Sequence, residues 1–190
     1  MPNAFGAHIT NPETQYPQAW ERAGQVKLLV LDVDGVMTNG QVWFGADGKE
    51  ALKAFDIQDG LGIKLLEQSG IPTAIITGRH SKMVLARCEE LGIKHVHMGV
   101  ENKSLALDEV LKSLGLSVSD CAVMGDDWPD LAMMKNAGFR ICPAQAHEAV
   151  KASAHYVTTR AGGNSAVREV CDLILKAQNR YEVLLNKARQ

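Results

Sequence analysis

Aromatic side chains supply only 5% of this 190-residue chain, too few for a platform that stacks single-stranded bases. Charge of one sign is missing too. Its 20 basic and 22 acidic residues leave a net charge of −2, so no strong field draws nucleic acid or an anionic membrane. No apolar run approaches the roughly 20 residues that cross a bilayer. Residues 1–25, with Pro2, Pro12 and Pro17, lack the apolar stretch of a signal peptide and are expected to form a loosely ordered N-terminal extension. Paired cysteines are absent as well: Cys88, Cys121, Cys142 and Cys171 stand far apart among apolar neighbours. That pattern fits buried free thiols in a reducing cytoplasm better than disulfides or a thiolate metal site. The histidines, His80, His95 and His97 among them, show no ligand spacing. A small-molecule partner is the expectation that survives these exclusions, with no nucleic acid and no membrane.

What is present is an ordinary globular composition, 46% apolar and 22% charged, at a length suited to one domain. Residues 26–178 form that domain in our reading, and residues 179–190 a C-terminal tail. Val26 to Leu31, Thr73 to Ile76 and Ala122 to Met124 are short apolar runs without polar alternation, as expected of strands covered on both faces. His95 to His97, Arg140 to Cys142 and His155 to Val157 are weaker strand candidates. Between them, Leu107, Val110, Leu111 and Leu114 mark one face of a helix, and Val167, Val170, Cys171, Ile174 and Leu175 mark another. Leu61 to Gln68 and Lys82 to Leu91 also carry apolar faces, and the stretches around Gly70 and Gly92 read as helix stops. Gln41 to Phe44 and Glu50 to Phe55 flank Gly45-Ala46-Asp47-Gly48, a hairpin turn. The alternation predicts an α/β fold: a Rossmann-like, doubly wound parallel sheet with a β-hairpin inserted after the first strand. Ligands of such sheets bind beyond the carboxyl ends of the strands.

The polar clusters fall at those ends. The first strand runs into Asp32-Val33-Asp34-Gly35-Val36-Met37-Thr38, with Gly35 free to turn the backbone so that both carboxylates face one site. The second ends in Thr77-Gly78-Arg79, a hydroxyl and amides suited to phosphate oxygens. A later strand ends in Gly125-Asp126-Asp127-Trp128-Pro129-Asp130, whose repelling acids call for a cation, and all-oxygen ligands point to magnesium rather than zinc. Lys103 opens a helix where a cation runs against the macrodipole.

In this order, Asp-x-Asp-Gly-x-x-Thr, Thr-Gly, Lys and Gly-Asp-Asp-x-x-Asp resemble the haloacid dehalogenase superfamily of phosphohydrolases. Leu52 to Asp56, Asp59 to Ile63, Ala74 to Arg79, Asn102-Lys103 and Ala161 to Glu169 look like its capless sugar-acid phosphatases, with no room for a cap domain. The likeness covers roughly Val26 to Ala177. It implies a magnesium-dependent phosphatase of a 2-keto sugar-acid phosphate, of eight carbons in lipopolysaccharide biosynthesis or, as an alternative, of nine carbons and the sialic-acid kind. It assigns Asp32 as nucleophile and Asp34 as general acid and base, with Thr77 and Lys103 on the transferring phosphoryl group. Asp32, the Asp34 backbone carbonyl and Asp126 would hold the metal, with Asp127 and Asp130 in support. Asp34, Asp56, Gln58, Asp59, Gly60, Lys64, Arg79, Arg87, Lys103 and Arg168 are the candidate substrate contacts. Of these, Asp56 stands where Asn is common in relatives, and Gln58 and Lys64 where Arg is common. The resemblance further implies a homotetramer in which a neighbouring subunit completes the site, with Val42, Trp43 and Phe44 giving the hairpin an apolar surface. A receiver-type signalling domain is the alternative of another class, since it too gathers carboxylates, Thr and Lys on a doubly wound sheet. Gly60-Leu61-Gly62 is only half of a dinucleotide fingerprint.

Overall fold

The structure, a computed structural model, describes residue 13 and residues 16–190. Its centre is a six-stranded parallel sheet of β1 (Leu28–Leu31), β4 (Thr73–Thr77), β5 (His95–Met98), β6 (Cys121–Met124), β7 (Phe139–Cys142) and β8 (Tyr156–Val157). Their order across the sheet is β5-β4-β1-β6-β7-β8. A separate antiparallel pair, β2 (Trp43–Phe44) and β3 (Glu50–Leu52), is the inserted hairpin, with shorter arms than the sequence suggests.

Every residue of β1, β4 and β6 is buried, because alternate side chains feed two separate cores. Leu29, Leu31, Ile75 and Met124 face one layer with α2 (Ile57–Gln68), α3 (Lys82–Leu91) and α7 (Ala166–Ala177). Leu28, Val30, Ile76 and Val123 face the other, built on α4 (Lys103–Leu114), α5 (Leu131–Met134) and α6 (Glu148–Ser153). Two covered faces explain why these strands show no polar alternation. Only α3 and β5 lie between Thr77 and Lys103, so the chain carries no cap domain there. Gly92, at φ +77°, ends α3 in the left-handed conformation that its sequence position predicts.

One outer segment departs from expectation. Within the supposed loose extension, Pro17–Gly24 is a helix, α1, and its Ala19 and Ala23 are buried in the first core. That correction reaches only residues 16–25; the remainder of the 1–25 reading lies outside the described residues, except residue 13. At the other end, Tyr181–Ala188 in the tail is a helix, α8, whose Tyr181 and Leu184 pack on the same core. All four cysteines are buried and free. Among the described residues no helix is long and apolar enough to cross a membrane.

From β1 the chain first builds outward through β4 and β5, then crosses to β6, β7 and β8. The crevice at this reversal lies between the carboxyl ends of β1 and β6, where ligands of open α/β sheets bind.

Candidate active site

Asp32 follows β1 directly, and its backbone N–H donates to the Met124 carbonyl of β6 at 3.1 Å. The two strand ends are thereby fastened together. Beyond Asp32 the backbone coils: the amides of Val36, Met37 and Thr38 all donate to the Val33 carbonyl, at 3.2, 2.9 and 3.0 Å. The Thr38 hydroxyl accepts from the amides of Gly35 and Gly40, each at 3.3 Å. Gly35 sits at φ +92°, and a side chain there would run into the Asp126 carboxylate. The glycine thus serves both the turn and the close approach of the two acidic loops.

Asp130 organises the second loop. Its Oδ2 accepts the amides of Asp126 at 2.9 Å and Asp127 at 3.2 Å. Its Oδ1 takes the ammonium of Lys103 at 2.6 Å, and the same ammonium lies 2.6 Å from Oδ1 of Asp32. Lys103, Asp32 and Asp130 are all buried. Asn102 caps α4 by accepting from the amides of Ser104 and Leu105. That cap fixes the helix start from which Lys103 reaches inward to two carboxylates, whose charges outweigh the unfavourable end of the helix dipole. Carboxylate oxygens of Asp32, Asp126 and Asp130 lie within 4.8 Å of one another.

Such crowding shows in the electrostatics. Burial raises the pKa of Asp32, and the charge of Asp130 adds to it, while Lys103 opposes both. Asp126 is pushed up to about 7, by burial first and then by Asp130, Asp32 and Asp127. Lys103 is raised, because Asp32 and Asp130 overcome the lowering that burial alone would cause. Among the described residues no donor hydrogen-bonds the Asp126 carboxylate, so the negative charge of the cluster is left under-compensated on that side. Oxygen donors with surplus negative charge fit a hard divalent cation such as magnesium. Asp130 is already engaged through both oxygens, which leaves it a supporting part.

The other candidates are distributed unevenly. Thr77 is buried at the end of β4, and its hydroxyl meets the Arg79 amide at 3.5 Å. Asp127 is exposed and accepts from the Trp128 amide at 2.8 Å. Arg79 lies beside Asp34, with Nε 3.9 Å from Oδ2. Gln58 and Lys64 are exposed on α2. Asp56, Asp59, Gly60, Arg87 and Arg168 gather instead where α2, α3 and α7 meet. Asp56 caps α2 through the Gln58 and Asp59 amides and accepts from the Ser165 hydroxyl at 2.9 Å. Asp59 accepts the Arg168 amide at 2.7 Å and so caps the start of α7; burial lifts its pKa to about 7. Arg87 fills the space above Gly60 and donates to the Asp56 carbonyl at 3.0 Å. Arg168 pairs with Asp172 at 2.8 Å.

Two residues to which the sequence reading gave no role stand at the site, Lys53 having entered that reading only within the stretch Leu52 to Asp56. Gln145 bridges the turn after Asp32 and the loop of Gly162 and Gly163, donating to the Gly35 carbonyl at 2.6 Å and accepting from the Gly162 amide at 2.8 Å. Lys53 is buried and donates to Oδ1 of Asp34.

Known proteins are similar to this chain in sequence and fold. A family model of haloacid dehalogenase-like hydrolases matches residues 96–170. The 3-deoxy-D-manno-octulosonate 8-phosphate phosphatase KdsC of Salmonella typhimurium is 43% identical over 166 residues, 87% of this chain and 88% of that protein. The crystal structure of 3-deoxy-D-manno-octulosonate 8-phosphate phosphatase from Moraxella catarrhalis, in complex with a magnesium ion, a phosphate ion and a KDO molecule, is similar with a TM-score of 0.86 and 47% identity, covering 90% of this chain and 97% of that chain. The cobalt-bound deoxy-D-mannose-octulosonate 8-phosphate phosphatase of Haemophilus influenzae gives a TM-score of 0.82 at 37% identity, covering 85% and 94%.

Proposed function

The chain belongs to the 3-deoxy-D-manno-octulosonate 8-phosphate phosphatases, within the haloacid dehalogenase-like hydrolases, and on that premise we infer its reaction. It is a magnesium-dependent phosphomonoesterase that hydrolyses 3-deoxy-D-manno-octulosonate 8-phosphate to the free sugar acid and inorganic phosphate, in lipopolysaccharide biosynthesis. The observation that carries this reading is the convergence of Asp32, Asp126 and Asp130 around the Lys103 end of the crevice.

The residues divide the work as follows. A carboxylate oxygen of Asp32 attacks phosphorus, forming an aspartyl-phosphate as the bond to the sugar oxygen breaks. Asp34 gives its proton to that leaving oxygen. Water then attacks the aspartyl-phosphate, loses a proton to Asp34, and phosphate departs as Asp32 is restored. Lys103 and Thr77 hold the phosphoryl oxygens, and Lys103 stabilises negative charge where it grows. The carboxylates of Asp32 and Asp126, with the backbone carbonyl of Asp34, hold the metal. Magnesium bound there neutralises charge on carboxylate and phosphate so that the two anions can approach. Asp127 and Asp130 support this set from the loop after β6. At the sugar end, Arg79, Gln58 and Lys64 stand exposed and are the contacts we assign first. Asp56, Asp59, Gly60, Arg87 and Arg168 act there with the helix junction they brace.

We assign the active form as a cytoplasmic homotetramer. Trp43 is 55% exposed, Phe44 66% and Leu52 56%, an apolar hairpin surface that a lone small domain leaves in water. Without a cap, a neighbouring subunit supplies the cover that keeps water from the reaction.

A phosphate-release panel tests the reading: the eight-carbon acid 8-phosphate, a nine-carbon acid 9-phosphate and a simple alkyl phosphate, each with magnesium or with a chelator. Chelator-sensitive release, fastest from the eight-carbon substrate, is expected. Release that ignores the chelator refutes the metal site, and preference for the nine-carbon substrate refutes the substrate assignment.

A further inference from the structure

Lys53 follows β3 at the root of the hairpin, and only 1% of its side chain is exposed. A lysine this deeply buried is rare unless paired. Its ammonium contacts Oδ1 of Asp34 and lies 3.0 Å from Oε1 of Glu50. Glu50 also faces Arg79, 3.6 Å from its guanidinium, and Arg79 in turn stands 3.9 Å from Oδ2 of Asp34. Two acids and two bases therefore form one closed group beside the crevice. Burial would raise the pKa of Glu50, yet Lys53, Ser81 and Arg79 hold it below the usual carboxylate range.

The two oxygens of Asp34 are placed differently within this group. Oδ1 is tied to Lys53, while Oδ2 has Arg79 at a distance beyond that of a hydrogen bond. The last torsion of an aspartate is broad and two-fold, so an untethered carboxylate swings and exchanges its oxygens. We propose that Lys53, held by Glu50, is the positioning residue of the phosphatase: it anchors Oδ1 of Asp34 and leaves Oδ2 as the oxygen that exchanges the proton with the leaving sugar. The inserted hairpin is then an element of the catalytic machinery, because its last strand supplies Glu50 and its exit supplies Lys53. This rests on the reading of Asp34 as the proton donor.

The test compares two substrates in saturating magnesium. The sugar-acid 8-phosphate has a poor leaving group that needs the proton, whereas p-nitrophenyl phosphate leaves as a stable anion without one. Lys53→Met should lower the rate of leaving-group release in a single turnover, the step before hydrolysis of the aspartyl-phosphate, about tenfold or more on the sugar phosphate. KM should stay within about twofold and single-turnover release of p-nitrophenol within about threefold, with Lys53→Arg regaining part of the loss. Equal losses on both substrates, or a change confined to KM, overturn the proposal. If Lys53→Met does not fold, Glu50→Gln serves instead: it keeps the lysine but loosens it, and a smaller split in the same direction is expected, whereas no split overturns the proposal. Asp34→Asn in parallel separates the two levels. Equal losses there remove the proton-donor reading itself, while a split in Asp34→Asn without one in Lys53→Met removes only the lysine.

Discussion

Magnesium should stabilise this protein more at pH 7 than at pH 5, by an amount that follows from the acid cluster. Asp126 has its folded pKa lifted from the ordinary 3.8 to about 7 by burial and by its acidic neighbours. Asp32 is shifted in the same direction. A carboxylate raised on folding binds more protons in the folded than in the unfolded chain between those two values. The metal-free protein therefore loses stability as pH climbs through this window. One undamped proton is worth about 2.7 kcal/mol across two pH units. Asp126 is partly open to water, which reduces its share to about 1 kcal/mol. Bound metal needs the ionised carboxylates and reverses this loss. At a hundred times its dissociation constant, it also adds about 2.7 kcal/mol outright. Urea unfolding at pH 5, 6 and 7, in chelator and in magnesium, reads both parts. Asp59, lifted to about 7 by burial, and His155, held down to about 4 by burial and the neighbouring Arg140 and Arg22, also tilt the curves. Both act equally with and without metal, so the increment due to magnesium isolates the cluster. That increment should grow by about 1 kcal/mol from pH 5 to pH 7. A constant or shrinking increment would show that Asp32 and Asp126 do not ionise around a common ion.

Asp32→Asn should abolish phosphate release while leaving the circular-dichroism spectrum unchanged; measurable turnover would exclude Asp32 as nucleophile. Lys103→Met should cut kcat about a hundredfold or more. Its stability loss should stay below the roughly 3–5 kcal/mol of a broken buried ion pair, because Asp32 and Asp130 can then share a proton. Chemical denaturation beside steady-state kinetics checks both numbers. Trp43→Ser combined with Phe44→Ser should reduce the sedimenting mass to that of a smaller assembly and lower activity together with it. Full activity in a sedimenting monomer would refute the tetramer.

The sheet could be read in advance because both of its faces are covered: β1, β4 and β6 had to be unbroken apolar runs, and their ends had to carry whatever chemistry the crevice performs. Asp32, Asp126 and Asp130 were therefore visible from position alone. Lys103 was marked by its conflict with the helix dipole, and its two carboxylate partners supply the reason for that conflict. Lys53 was read only within the stretch Leu52 to Asp56 and given no role, because a lysine in an extended stretch looks like any exposed residue of a hairpin. Its partner Asp34 lies 19 residues away and is joined to it only by folding. Gln145 escaped for the same reason at greater range, 110 residues from Gly35. Residues 16–25 were misjudged for another cause. Pro2, Pro12 and Pro17 suggest an irregular segment, yet Pro17 opens α1, where its missing N–H costs nothing. Ala19 and Ala23, too small to advertise an apolar face, are the residues that dock it.

Gly35 offers a means of displacing Asp126, one of the metal ligands we propose, without replacing it. At φ +92° an alanine is strained, and its methyl group would occupy the space of the Asp126 carboxylate. The strain alone costs about 1–2 kcal/mol. The collision is with the mobile end of a side chain, so Asp126 can swing aside rather than unfold the loop, whose backbone remains fixed by Asp130 through the Asp126 and Asp127 amides. Stability should thus fall modestly, while the oxygen that Asp126 brings to the cation is lost from its place. Gly35→Ala is expected to melt a few degrees lower, to need at least about tenfold more magnesium for half-maximal activity, and to regain part of its rate as the ion is raised. If the variant lost only stability and kept the magnesium dependence of the parent protein, the close packing of Gly35 on Asp126 would have no bearing on the metal.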